Sequence, residues 1–401
     1  MRKFVASLLL ITASAFAAFA QPPAQRPAAP ADPPRPVLGG EITDARLRSL
    51  FEAAREAGMA MRYDEAVRLS DEGIAAVPNH PSFWLVRAEA LYSRGVATYN
   101  RFYRSKDEAE KKTGVEAAGR DFRDAVNAAT RGLALLDEYK APDDEATRAS
   151  LAAGRRAGLW IRAQALAAVA LRFDESYSAD ALTAFEQYAA AEADPEMGAR
   201  AHFFMGQLRL ATKDFAGAAI QFRKVADADP SNADALLGEA VSLIDQGHLA
   251  GDPSKLREGF ERLRAFVEKA PGHHARASAA QAVEYYNRPA PPKEEAPAVG
   301  DGPAVMVPRP VEGGVINGRA ISKPAPPYPA VAKVARADGT VAVHLVVDER
   351  GDVISADASA GHPLLRAVAV EAARQAKFTP TTLSGRPVKV SGVITYNFVL
   401  Q

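Results

Sequence analysis

The chain has 401 residues, 49 Lys and Arg against 49 Asp and Glu, and no Cys. The absence of Cys excludes thiol catalysis, zinc knuckles and iron–sulfur clusters, and fits an oxidising compartment without requiring one. A net charge of zero gives a nucleic-acid role no overall electrostatic support, and the length allows two or three domains.

Arg2-Lys3 precede an apolar run from Phe4 to Ala20 that closes in Ala18-Phe19-Ala20 before Gln21. A short cationic start, an apolar stretch and an A-x-A-like site make a secretory signal peptide. At ~1.5 Å per residue the run gives about 25 Å of helix, short of the ~30 Å hydrocarbon core of a bilayer. Residues 1–20 therefore read as a signal peptide and the protein as periplasmic. The alternative is an uncleaved anchor that holds it at the inner membrane, facing the periplasm. Residues 21–40 are rich in Pro and Ala and form an extended spacer.

Residues 41–287 carry helical periodicity and almost no strand signal. An internal repeat runs through them. Gly206, Ala218, Phe222 and Pro230 resemble the tetratricopeptide pattern, with small residues where two helices cross and Pro closing the second. The offset from small residue to Pro recurs in Ala66 to Pro78, Ala218 to Pro230 and Gly259 to Pro271. Trp84 with Ala88, and Trp160, restate the start of a first helix, and Ala181, Phe185 and Pro195 are a looser copy. This predicts an all-α, tetratricopeptide-like solenoid with an unidentified peptide or protein as its ligand. The alternative is a helical array without a ligand groove. A mixed-charge insertion at about Tyr99 to Val115 reads as a solvated loop or helix extension. The counts are 32 Lys and Arg against 38 Asp and Glu for Glu41 to Tyr285, and ten against six from Gly313 on. The middle is thus mildly acidic and the end mildly basic.

Residues 288–312 hold Pro289, Pro291, Pro292, Pro297, Pro303, Pro308 and Pro310. At ~3.1 Å per residue such a linker spans up to about 70 Å. Residues 313–401 form the last domain. Val341, Val343, Leu345 and Val347 alternate as a half-buried strand. Asp348 to Gly351 make a turn with Gly available for positive φ, and a short strand follows from Val353 to Ala358. From Leu364 the period changes, and Leu364, Leu365, Val368, Ala372 and Ala376 share a helical face that opens at His362-Pro363. A final strand runs from Val388 and places Val390, Ile394, Tyr396, Phe398 and Leu400 on one side.

This stretch resembles the C-terminal domain of the TonB energy-transducer family. The resemblance rests on Tyr328-Pro329, Gly339 to Val343, Asp348 to Val353, Gly361 to Leu365, Ala372 to Arg374, Phe378 to Pro380, Gly385 to Val388 and Tyr396 to Phe398. It departs at Ala376, where many members carry Trp. It also departs at the N-terminus, where transducing members keep a membrane helix with a functional His that Phe4 to Ala20 lacks. The resemblance implies a small α+β domain with a three-stranded antiparallel sheet and two helices on one face. It further implies that Val390, Ser391, Gly392, Val393, Ile394, Thr395, Tyr396, Asn397 and Phe398 form an edge strand. That edge would accept a segment of an outer-membrane TonB-dependent receptor, and an anchored form would work with an inner-membrane ExbB–ExbD motor. A Pro at Ser391 or Thr395 should tell the two edges apart, if one N–H faces outward and the other faces the neighbouring strand.

Chemistry-bearing motifs are few. Gly313 to Gly318 has the Gly spacing of a phosphate loop but continues Arg319-Ala320 and follows no strand, so the match is accidental. His273-His274 lack a third ligand at metal spacing. Asp143-Asp144-Glu145 stand where a helix begins. No catalysis, cofactor or metal is expected. The two functional readings are a periplasmic TonB-type adaptor linked to TonB-dependent transmembrane transport, and a tetratricopeptide scaffold in cell-envelope assembly.

Overall fold

Asp or Asn residues cap the starts of several helices of the middle region. In a computed structural model, which describes residues 42, 44–139, 144–289, 310–383 and 385–400, eleven helices precede the end domain. They are α1 Ala45–Met59, α2 Tyr63–Ala76, α3 Pro81–Phe102, α4 Glu108–Glu138, α5 Glu145–Arg172, α6 Ser178–Ala191, α7 Pro195–Ala211, α8 Phe215–Ala228, α9 Ala233–Ala250, α10 Pro253–Lys269 and α11 Arg276–Tyr286. Asp44, Asp107, Asp144, Asp194, Asn232 and Asp252 each accept a backbone N–H two or three residues on, satisfying donors that a first helical turn leaves unpaired. Pro81, Pro195 and Pro253 stand in first turns, where their missing N–H costs nothing. The signal-peptide, spacer and most of the linker readings, along with Asp143, lie outside the described residues.

The chain divides into two compact units, one ending at Asp214 and one beginning at Phe215. In the first, helices adjacent in sequence pack against one another from α1 to α7. Small residues set the crossings. Ala66, Ala88 and Ala181 are fully buried, and a Cβ on Gly73 would come within 2.2 Å of the Phe83 ring. Trp160, Phe185, Tyr188 and Phe204 form an aromatic core, with Trp160–Tyr188 and Phe185–Phe204 centroids 4.8 and 5.3 Å apart. The mixed-charge insertion is a helix extension: α3 and α4 run on toward each other, and Gly114 makes room for the Phe102 ring.

The second unit holds α8 to α11 together with the end domain. Phe222, on α8, lies over Gly238 of α9, where a Cβ would sit 2.7 Å from the ring. Gly259, on α10, meets the backbone N of Ile244 so closely that a Cβ would stand 2.8 Å from it. Pro78, Pro230 and Pro271 each occur two residues past the end of a helix. The repeat-like register of the sequence is therefore that of the helices. His273 accepts the Ala275 N–H and contacts Asp234. Among the described residues no group of three or more His, Asp or Glu is placed to hold an ion.

The end domain runs through β1 Val311–Val315, a 3₁₀ turn Asn317–Arg319, β2 Ala320–Ser322, α12 Ala330–Val334, β3 Gly339–Val347, β4 Val353–Ala360, α13 Pro363–Arg374, β5 Lys377–Phe378, β6 Thr382–Leu383, β7 Arg386–Pro387 and β8 Val390–Phe398. Val341, Val343 and Leu345 are wholly buried and Val347 nearly so, as the alternation requires. Gly351, at φ +92°, turns β3 into β4, and a Cβ there would strike the Phe378 carbonyl at 1.9 Å. Asp348 accepts the Arg350 and Asp352 N–H groups of that turn, which holds its carboxyl below the usual range. Leu364, Leu365, Val368, Ala372 and Ala376 are buried.

One expectation is corrected. The main sheet has four strands in the order β1-β8-β3-β4, not three, and it is not wholly antiparallel. The added strand is Val311–Val315, which runs parallel to β8. Val311 and Glu312 close the Pro-rich stretch, and Gly313-Gly314 weaken the strand signal that follows. Pairing with a ready edge overrides their local preference.

The end domain docks on its neighbouring helices. The Tyr285 hydroxyl donates to Asp357 (2.9 Å) and accepts the Ala358 N–H (3.0 Å). Ser278 Oγ accepts the Val331 N–H at 3.0 Å. His362 Nδ1 accepts the Leu364 N–H, so Nε2 carries the proton and donates to Asp245 at 2.7 Å. Burial raises the Asp245 carboxyl above its ordinary range, with His362 opposing.

Candidate functional site

All nine residues expected to accept a partner form one strand, β8. Val390, Gly392, Ile394, Tyr396 and Phe398 face the core, whereas Ser391, Val393 and Thr395 are half-buried and Asn397 is exposed. Burial pushes the Tyr396 phenol up to about 12. Tyr328, whose hydroxyl donates to the Ala337 carbonyl, is raised likewise by burial, with Asp338 adding to the effect. Along one edge β8 pairs with β3 over its whole length, from Val347↔Val390 to Gly339↔Phe398.

The other edge is occupied by the chain itself. Val311 N–H donates to the Lys389 carbonyl at 2.8 Å, and Ile316 N–H to the Val393 carbonyl at 3.0 Å. Beyond the strand, side chains take over the pairing. Asn317 Oδ1 accepts the Thr395 N–H at 3.1 Å, while its Nδ2 donates to Thr395 Oγ1 at 2.8 Å. Lys323 Nζ donates to the Thr395 carbonyl at 2.7 Å and lies 4.8 Å from the Tyr396 ring centroid. A ladder that a full strand would supply is completed here by one amide and one ammonium.

Parity settles the orientation of the two test positions. Alternate residues of a strand present their N–H and C=O to the same edge. Lys389, Val393 and Thr395 all face outward, so Ser391 does too. The expectation that Ser391 and Thr395 face opposite edges is thus wrong: four residues apart, they share one.

Shape complements the hydrogen bonds. Ile316 is only 3% exposed and sits against Gly392, where a Cβ would meet its side chain at 2.9 Å. Gly313 lies over Val390, and a Cβ on it would stand 2.7 Å from Val390 Cγ1. Val311–Asn317 and Lys323 are the partners of β8 that the sequence reading missed. Their signal was Val315-Ile316 beside two glycines, a pattern that resembled a loop.

The geometry defines a small α+β domain in which β8, expected to be an edge strand, lies instead between β3 and the parallel strand β1. Residues 324–400 match the family model of the Gram-negative bacterial TonB protein C-terminal, a non-enzymatic protein-interaction domain of a family that serves envelope energy transduction and transport. β1 and the Asn317 turn lie upstream of the matched residues. No curated protein matches the chain. Among the described residues no helix is long and apolar enough to cross a membrane.

Proposed function

We propose that the protein is a periplasmic adaptor of the TonB type. Its end domain binds a short extended segment of an outer-membrane TonB-dependent receptor by strand addition at Val390–Phe398. The tetratricopeptide-like helices form a solenoid that holds a second peptide or protein. The observation that carries the reading is the parallel pairing of Val311–Val315 on β8: the backbone groups that β1 engages are those an added strand would use in its place. The family match of residues 324–400 supports the same role.

Binding of receptor plug-segment peptides to the full chain tests it. Thr395→Pro deletes an outward N–H that is held only by the Asn317 side chain, so it should abolish capture while leaving the fold intact by circular dichroism. Ser391→Pro, on the same edge, should do the same. Failure of every receptor segment to bind wild type would leave the scaffold reading, which the docking of Tyr285 and Asp245 on the end domain favours. Export is part of the proposal: the mature chain should begin at Gln21 and be released by osmotic shock. Recovery of intact Met1 in the inner-membrane fraction would instead support an anchored transducer working with ExbB–ExbD.

A further inference from the structure

β1 is held unlike any other strand of the sheet. Val315 is 71% exposed, Val311, Glu312 and Gly314 are exposed as well, and only Gly313 is half-buried. Its register slips between Glu312 and Val315, and Gly314 adopts a left-handed φ of +61°. Little side-chain burial therefore secures the strand, and its grip is mostly backbone hydrogen bonds that water or another strand can replace. The anchors follow it: the Ile316 side chain at Gly392 and the Asn317 amide at Thr395. Just downstream, β2 pairs with β5, so departure of 311–317 leaves a fixed point at Ala320. The matched domain begins at 324 and would, alone, present β8 as an open edge.

We propose that Val311–Asn317 is a surrogate ligand. It is an exchangeable strand that keeps the β8 edge closed until a parallel partner segment displaces it, one with glycine in place of Gly313, an aliphatic residue in place of Ile316 and an amide side chain in place of Asn317. This rests on β8 being the partner-binding edge, and it gives that edge both a regulator and a recognition rule. The three requirements follow from the contacts. Any Cβ at the first position meets Val390. The aliphatic side chain fills the space above Gly392. The amide satisfies both the N–H and the hydroxyl of Thr395. A fixed cover that merely guards the edge against aggregation would share these contacts but would not exchange.

The absence of native Cys makes a clean test possible on the full chain. Glu312 and Ser391 are Cα partners, and neighbouring strands bring Cα atoms within disulfide range. Glu312→Cys with Ser391→Cys can therefore clamp β1 to β8. The probe is a fluorescent peptide copying residues 309–319, read by anisotropy. Ile316→Ala protein should bind it about tenfold more tightly than wild type, because the competent open state is more populated. The oxidised clamp should lose binding and regain it on reduction. A probe with Gly at the Ile316 position should bind none of these proteins. Asn317→Ala loosens the same segment by a different contact and repeats the test should Ile316→Ala fail to fold. Equal binding by oxidised and reduced clamp, or no binding to either loosened variant, would overturn the proposal. Because the probe is the chain's own sequence, exchange of the probe without capture of receptor segments would instead overturn the receptor reading alone.

Discussion

Two regions of the second unit are held together by opposite means. Where α8, α9 and α10 cross, Phe222 covers Gly238 and Gly259 meets the Ile244 backbone, so side-chain volume sets the contact and leaves no room for exchange. Where β1 meets β8, the side chains face outward and the backbone carries the contact. Packed volume makes a permanent joint, and a backbone ladder with exposed side chains makes one that another strand can copy. The first kind suits a scaffold; the second suits a site.

The contrast breaks most readily at the packed joint. Phe222→Ala should cost about 3–5 kcal/mol, the usual loss for a large buried aromatic, in denaturant unfolding of the full chain; a loss below 1 kcal/mol would mean that the crossing is loosely packed. Ala218→Leu, at a fully buried position of α8, should cost about 1–3 kcal/mol by overpacking, and an unchanged midpoint would place the repeat register elsewhere.

A smaller effect is expected from pH. His248 is held below the usual imidazole range by burial first, then by His362 and Arg366; its ring lies 5.0 Å from that of His362, which in turn bonds Asp245. A depressed pKa stabilises the fold in full above the ordinary value of 6.5 and loses that contribution as pH falls through the folded value. Stability should therefore drop modestly as pH falls below about 6.5, and His248→Gln should lessen the drop. An unaltered pH profile in that variant would remove His248 from the account. At the backbone joint the expected change is smallest. Val315→Lys, at an exposed position, should move stability by no more than about 0.5 kcal/mol; a loss of several kcal/mol would mean that β1 is packed after all.

Much of this organisation was legible in the residues themselves. The alternation from Val341 to Val347, the glycine at 351 and the His362-Pro363 helix start gave β3, β4 and α13 close to their observed limits. The interval from Ala218 to Pro230 gave α8 and its turn. β1 was not legible, because Val-Glu-Gly-Gly-Val has no alternation and its Glu and two glycines dilute the β propensity of its valines; it becomes a strand only by pairing with β8. Nor could the docking of α11 on the end domain be read from sequence, since it joins Tyr285 to Asp357 across 72 positions of chain. What the sequence could have supplied, and did not, was the parity of Ser391 and Thr395.

Hydrogen exchange of the wild-type chain tests most directly whether β8 is an edge closed by an exchangeable strand. The amides of Val311 and Ile316 should exchange about a hundredfold faster than those of Val343 and Leu345, since local opening of a few backbone bonds lies far below global unfolding. Ser391 and Thr395 should follow β1, and the probe copying residues 309–319 should slow both. Protection of Val311 and Ile316 equal to that of Val343 would contradict the account and make the four-stranded sheet a single permanent structure.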